Sequence, residues 1–137
     1  MSGQPMVPPW LTFDVTNLEI FEPAAAISPS LIVPVNSPFI LKATFTGTGL
    51  IWEWLKNLGV QWEAKFSAEG VGAHAQEYDF PVGNGNLAPG PNTFTTQINV
   101  PAGIDTPGIY EVTCLVRFPL CRGLTGFFKP LVIEVYP

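Results

Sequence analysis

Apolar and polar residues alternate along most of this chain. Residues 39–46 set Phe39, Leu41, Ala43 and Phe45 on one side, and Lys42, Thr44 and Thr46 on the other. Residues 60–67 repeat the arrangement, with Val60, Trp62, Ala64 and Phe66 against Gln61, Glu63, Lys65 and Ser67. In residues 93–100 the inward set is Phe94, Thr96, Ile98 and Val100. Successive side chains of a strand point to opposite faces, and strict alternation marks an antiparallel sheet with one wet face. Tyr110, Val112, Cys114, Val116 and Phe118 form a longer stripe of the same kind. The last run, residues 127–136, is apolar on both faces in its first half, which leaves its register open. Pro130 within it calls for an edge position or a bulge, because proline has no N–H for a ladder. Weaker strand patterns lie at 11–21, as one strand or a pair, at 31–35, where Pro34 favours an edge, and at 75–82.

Turn-forming clusters separate these runs: Glu22-Pro23, Ser28-Pro29, Asn36-Ser37-Pro38, Ala88-Pro89-Gly90-Pro91 and Asp105-Thr106-Pro107-Gly108. Gly83-Asn84-Gly85-Asn86 reads as a further turn and offers no phosphate cradle. Short strands punctuated in this way predict an all-β sandwich of seven to nine strands. One stretch breaks the period. Ile51, Trp54, Leu55 and Leu58 recur at i, i+3, i+4, i+7, which predicts a short helix near residues 50–58. Thr48 could cap its start, and Gly59 stands where a helix ends in a left-handed residue. On this pattern Trp54 packs the helix onto the sandwich, and Trp52 falls on its outer edge.

Residues 105–114 run Asp-Thr-Pro-Gly-Ile-Tyr-Glu-Val-Thr-Cys. Gly108, Tyr110 and Val112 match the G-x-Y-x-V strand of immunoglobulin-like and fibronectin type III sandwiches, which the chain resembles. Bacterial immunoglobulin-like domains and PKD-type repeats carry similar runs. In immunoglobulin domains a buried tryptophan sits on the third main strand, and Trp62 is spaced for that role. The paired inter-sheet cysteines are absent: Val112 stands where one belongs, and Ala43 or a neighbour stands at the other. The resemblance implies an immunoglobulin-like sandwich held by aromatic packing, with the helix between its second and third main strands. A fold of this generality does not fix function.

Composition narrows the function. The 137 residues fit one domain, with a core large enough to stand without metals or staples. Apolar residues make up 47% and charged ones only 12%, about half the usual ~25%. A net charge of −5 argues against nucleic acid, which needs a basic footprint. The densest apolar run, residues 49–58, is cut by Glu53, Lys56 and Asn57, so no membrane span is expected. Residues 1–6 hold no Lys or Arg and no apolar run follows, so no secretory leader is read and the balance tips to the cytoplasm. Cys114 and Cys121, at C-x6-C, fit neither a zinc pattern nor a C-x-x-C redox motif. They read as two buried thiols, with a local disulfide as the alternative.

Candidate chemistry is sparse. His74, Glu77 and Asp79 could offer nitrogen and oxygen ligands to a metal, but a solvated loop explains them as well. Glu53 and Glu63 could serve glycoside hydrolysis only at a suitable separation, and both fall on outward faces. No catalytic motif and no cofactor motif is present, so neither an enzyme nor a cofactor is expected. The tryptophans are more informative. Trp10 and Trp52 have no inward assignment, and Phe127 and Phe128 are adjacent, so one of them must meet solvent or a partner. Trp10, Trp52 and Phe128 are therefore expected to form an aromatic surface patch. The expectation is a binding or assembly module that meets a protein partner or a second copy. A carbohydrate-binding module that stacks sugars on Trp10 and Trp52 is the alternative, and a metal-binding or enzymatic domain built on His74, Glu77 and Asp79 is the second.

Overall fold

A computed structural model of the protein describes residues 10–22, 28–72, 76–121, 124–128 and 130–137. The alternating runs form strands that pair in two sheets. The small sheet has the order β1 (Thr12–Phe21), β3 (Phe39–Thr48), β7 (Thr93–Val100), all antiparallel. The large sheet runs β2 (Ile32–Pro34), β10 (Leu131–Tyr136), β8 (Gly108–Arg117), β4 (Gln61–Gly70), β5 (Glu77–Asp79). Two short strands complete it: β6 (Gly83–Asn86) pairs with β4, and β9 (Thr125–Phe127) pairs with β8. The helix α1 (Leu50–Leu58) joins β3 to β4. This is an all-β sandwich with one short helix among the described residues.

The inward stripes meet as the alternation requires. Phe39, Leu41, Ala43 and Phe45 of β3 are buried against Trp62, Ala64 and Phe66 of β4 and Tyr110, Val112 and Cys114 of β8. Trp62 packs edge-on against Phe45 across the two layers, with ring centres 5.2 Å apart. The Tyr110 hydroxyl donates to the Thr106 carbonyl at 2.6 Å and so ties the β8 strand to the corner that precedes it. A tyrosine corner, a hydroxyl bonded back to the backbone a few residues upstream, is a tie of the same form known from immunoglobulin-like sandwiches.

Several details depart from the expected pattern. Ten strands lie among the described residues, because two ribbons are broken. β5 and β6 both lie along β4, and the last expected strand divides into β9 and β10. The pairing register against β8 differs by one residue between β9 and β10, across the segment that holds Pro130. The proline thus marks a bulge rather than an edge. β2 is an edge strand as Pro34 suggested, but it pairs with β10 in parallel. The run expected at 11–21 forms the single strand β1, with a register shift between Val15 and Asn17. Residues 83–86 are a strand, not a turn. A side chain at Gly85 would place its Cβ 2.6 Å from the Trp62 indole, so the glycine there makes room for the core tryptophan.

Candidate functional site

The helix is where sequence and structure differ most. It forms where the spacing indicated, and Gly59 ends it with φ 64° and ψ 40°, its N–H turned back to the carbonyls of Leu55 and Lys56. Gly49, not Thr48, occupies the N-cap, and no side chain caps it. The Thr48 hydroxyl instead bonds that of Thr12 across the small sheet.

Its orientation is the larger correction. Trp52 is fully buried, and Trp54 is 57% exposed. The cause lies on β3. Gly47 has no side chain, and any Cβ there would enter the Trp52 ring. The indole lies in that vacancy, among Phe13, Phe94 and Phe118 at ring separations of 5.8, 6.1 and 6.2 Å. Position 56 is one turn along the same face, so Lys56 is carried inside. Its Nζ lies 2.9 Å from Glu53 Oε2 and donates to Asn92 Oδ1 at 2.7 Å and to the Gly90 carbonyl at 3.3 Å. The ammonium is thus satisfied while its stem packs against apolar neighbours.

The opposite side of α1 is left apolar and wet. Leu50, Trp54 and Leu58 recur at i, i+4, i+8, and Leu58 is 77% exposed. Trp10, 54% exposed, adjoins the first turn, where its carbonyl accepts the Ile51 N–H at 2.9 Å. Of the three aromatics expected to share a patch, only Trp10 is exposed. Trp52 lies in the core, and Phe128 is half-buried, with its N–H on the Cys114 carbonyl. Sugar stacking on Trp10 and Trp52 together is ruled out by the burial of Trp52. The exposed aromatic that the sequence pattern placed inside is Trp54. The missed signal was Gly47, whose small size selects which tryptophan is taken in.

His74 lies outside the described residues. Glu77 and Asp79 share the outer face of β5, exposed, opposite Glu69 and Ser67 of β4. Glu111 of β8 continues that row beyond Glu69. Among the described residues no three His, Cys, Asp or Glu side chains are grouped to hold a cation. Glu53 and Glu63 are each held in an ion pair, with Lys56 and with Arg117.

Both cysteines are free thiols. Cys114 is buried in the core, and burial pushes its thiol up to about 12, so it stays protonated at neutral pH. Cys121 is half-buried, not fully buried as read from sequence. Around the tyrosine corner, the Tyr78 hydroxyl donates to Asp105 Oδ1 at 2.5 Å, and the Thr106 hydroxyl joins it at 3.0 Å. These two hydrogen bonds hold the Asp105 carboxyl below its ordinary value. Tyr110 is pushed up to about 12, first by burial and then by its neighbour Tyr78.

No family model and no curated protein matches the sequence. Solved structures are similar in fold. The CARDB domain of a Pyrococcus furiosus protein, solved in complex with di-metal ions, superposes with a TM-score of 0.53 at 12% identity. That match covers 96% of this chain and 98% of the domain. A beta-glucosidase from Listeria innocua, solved in complex with gluconolactone, gives 0.52 at 10% identity. It covers 93% of this chain, which spans only 16% of the glucosidase. At these identities the likeness is one of fold: a β-sandwich. No helix among the described residues is long and apolar enough to cross a membrane.

Proposed function

We propose that this chain is a non-enzymatic assembly module of immunoglobulin-like fold that pairs with a second copy of itself through the outer face of helix α1. The observation that carries this reading is the inverted helix. Its lysine is inside and satisfied, while Leu50, Trp54 and Leu58 stand in water on one stripe. With Trp10 they expose on the order of 500 Å² of apolar surface, near the upper limit for the largest patch on an ordinary monomer. An apolar stripe is self-complementary, so a twofold axis lets each copy cover the other with the same residues. Tryptophan and its large contact area are enriched at such contacts. The absence of a catalytic motif in the sequence and the protonated Cys114 thiol support a non-enzymatic role.

Size-exclusion chromatography with light scattering tests the reading. Between 1 and 100 µM (about the range of weak dimers) the wild-type mass should rise toward twice the monomer. The Trp54→Ser/Leu58→Glu variant should stay monomeric with an unchanged circular dichroism spectrum. A wild-type protein that remains monomeric over this range, or a variant that still dimerises, overturns the proposal.

A further inference from the structure

The outer face of the small sheet carries a second surface, independent of the helix. Its residues are paired in register across three strands. Thr12 stands opposite Thr48, Thr46 opposite Thr93, and Thr44 opposite Thr95. Gln97 and Asn99 continue the β7 row. Seven of the chain's eleven threonines lie on this face, counting Thr16 at the β1 register shift. That concentration sets it apart from the rest of the surface. The hydroxyls are ordered: Thr46 and Thr93 bond at 2.9 Å, and Thr16 donates to the Thr44 carbonyl at 3.3 Å. Each hydroxyl can still donate or accept a further bond. Strand geometry repeats these groups about 4.8 Å across the sheet and about 6.8 Å along it. Branched threonine side chains are stiff at χ1, so little freedom is lost when they engage a ligand.

Charge is partitioned between the two outer faces. On the small sheet, Glu19 stands opposite Lys42, which leaves Asp14 as the unmatched charge among the paired rows. The outer face of the large sheet carries six acidic residues, with Glu69, Glu77, Asp79, Glu111 and Glu134 exposed, against two basic ones, Lys65 and Arg117, so acid outweighs base there. A nearly neutral lattice of hydroxyls and amides matches a ligand that is itself neutral, extended and rich in hydroxyls. Its one cation, Lys42, stands opposite Glu19, and with Asp14 the face is slightly negative, so it disfavours an anion.

We infer that the outer face of β1, β3 and β7 binds an extended neutral polysaccharide, with Thr44, Thr46, Thr93, Thr95 and Gln97 as hydrogen-bonding contacts. The inference does not rest on helix-mediated pairing. Affinity electrophoresis tests it, in native gels that contain hydroxyethylcellulose or glucomannan, with polygalacturonate as the anionic control. The wild type should be retarded by at least one neutral polymer and not by polygalacturonate. Thr44→Val/Thr95→Val removes two hydroxyls with little change of shape, and should weaken the apparent affinity about tenfold, the equivalent of ~1.4 kcal/mol. Circular dichroism checks that this variant is folded. The Trp54→Ser/Leu58→Glu variant should bind like the wild type. Lack of retardation in both neutral polymers, equal retardation in polygalacturonate, or an unaffected threonine variant would overturn the inference.

Discussion

At Cys114 and Tyr110, burial makes ionisation expensive, and the consequence is read at alkaline pH. Both groups have folded-state values pushed up to about 12, from 9.0 for the thiol and 10.0 for the phenol. The unfolded chain therefore loses these protons first. Their contribution to stability is complete below pH 9 and falls as pH rises toward 12. The slope is about 1.4 kcal/mol per pH unit for each group once its unfolded form is ionised. Urea unfolding between pH 7 and 11 should show this loss, and Cys114→Val should flatten its first part. An identical pH dependence in the variant would contradict the buried thiol. Strand and burial of Cys114 followed from the alternation in the sequence. The depth of Tyr110 followed from the G-x-Y-x-V corner. The Tyr78–Asp105 bond was not legible, because it joins residues 27 apart through a fold the sequence does not measure.

The helix shows why element and orientation are different problems. Its existence and both bounds were readable from the i, i+3, i+4, i+7 spacing and from Gly59. Its rotation was not, because periodicity counts apolar residues without knowing which of them the opposing surface can accept. Gly47 on β3 accepts one indole, and Trp52 is in phase with it. The same limit applies at Gly83-Asn84-Gly85-Asn86: the residues are those of a turn, but they form a strand whose Gly85 leaves the room that the Trp62 ring takes. The two tryptophans of the helix therefore differ sharply in stability. Trp52→Ala empties a fully buried site and should cost about 3–5 kcal/mol. Trp54→Ala should change stability by no more than about 0.5 kcal/mol. Denaturant unfolding below the dimerisation range measures both. Equal losses would contradict the observed rotation.

For the whole molecule, the two layers separate three kinds of surface. The large sheet is acidic outside, the small sheet is neutral and hydroxylated, and the joining helix is apolar. The sandwich itself was legible, since a period of two sustained over four long strands leaves few other ways to bury one face of each. The partition of the outer faces became visible only once register had aligned Thr46 with Thr93 and Glu69 with Glu77. The account turns on the helix presenting its apolar stripe to water. Acrylamide quenching of single-tryptophan-deletion variants tests this most directly. At concentrations where the protein is monomeric, Trp54→Phe should remove a large part of the red-shifted, readily quenched emission and leave the part from exposed Trp10, and Trp52→Phe should remove only emission that acrylamide does not reach. If Trp52→Phe removes the quenchable share and Trp54→Phe leaves it intact, the helix faces the other way and the account fails.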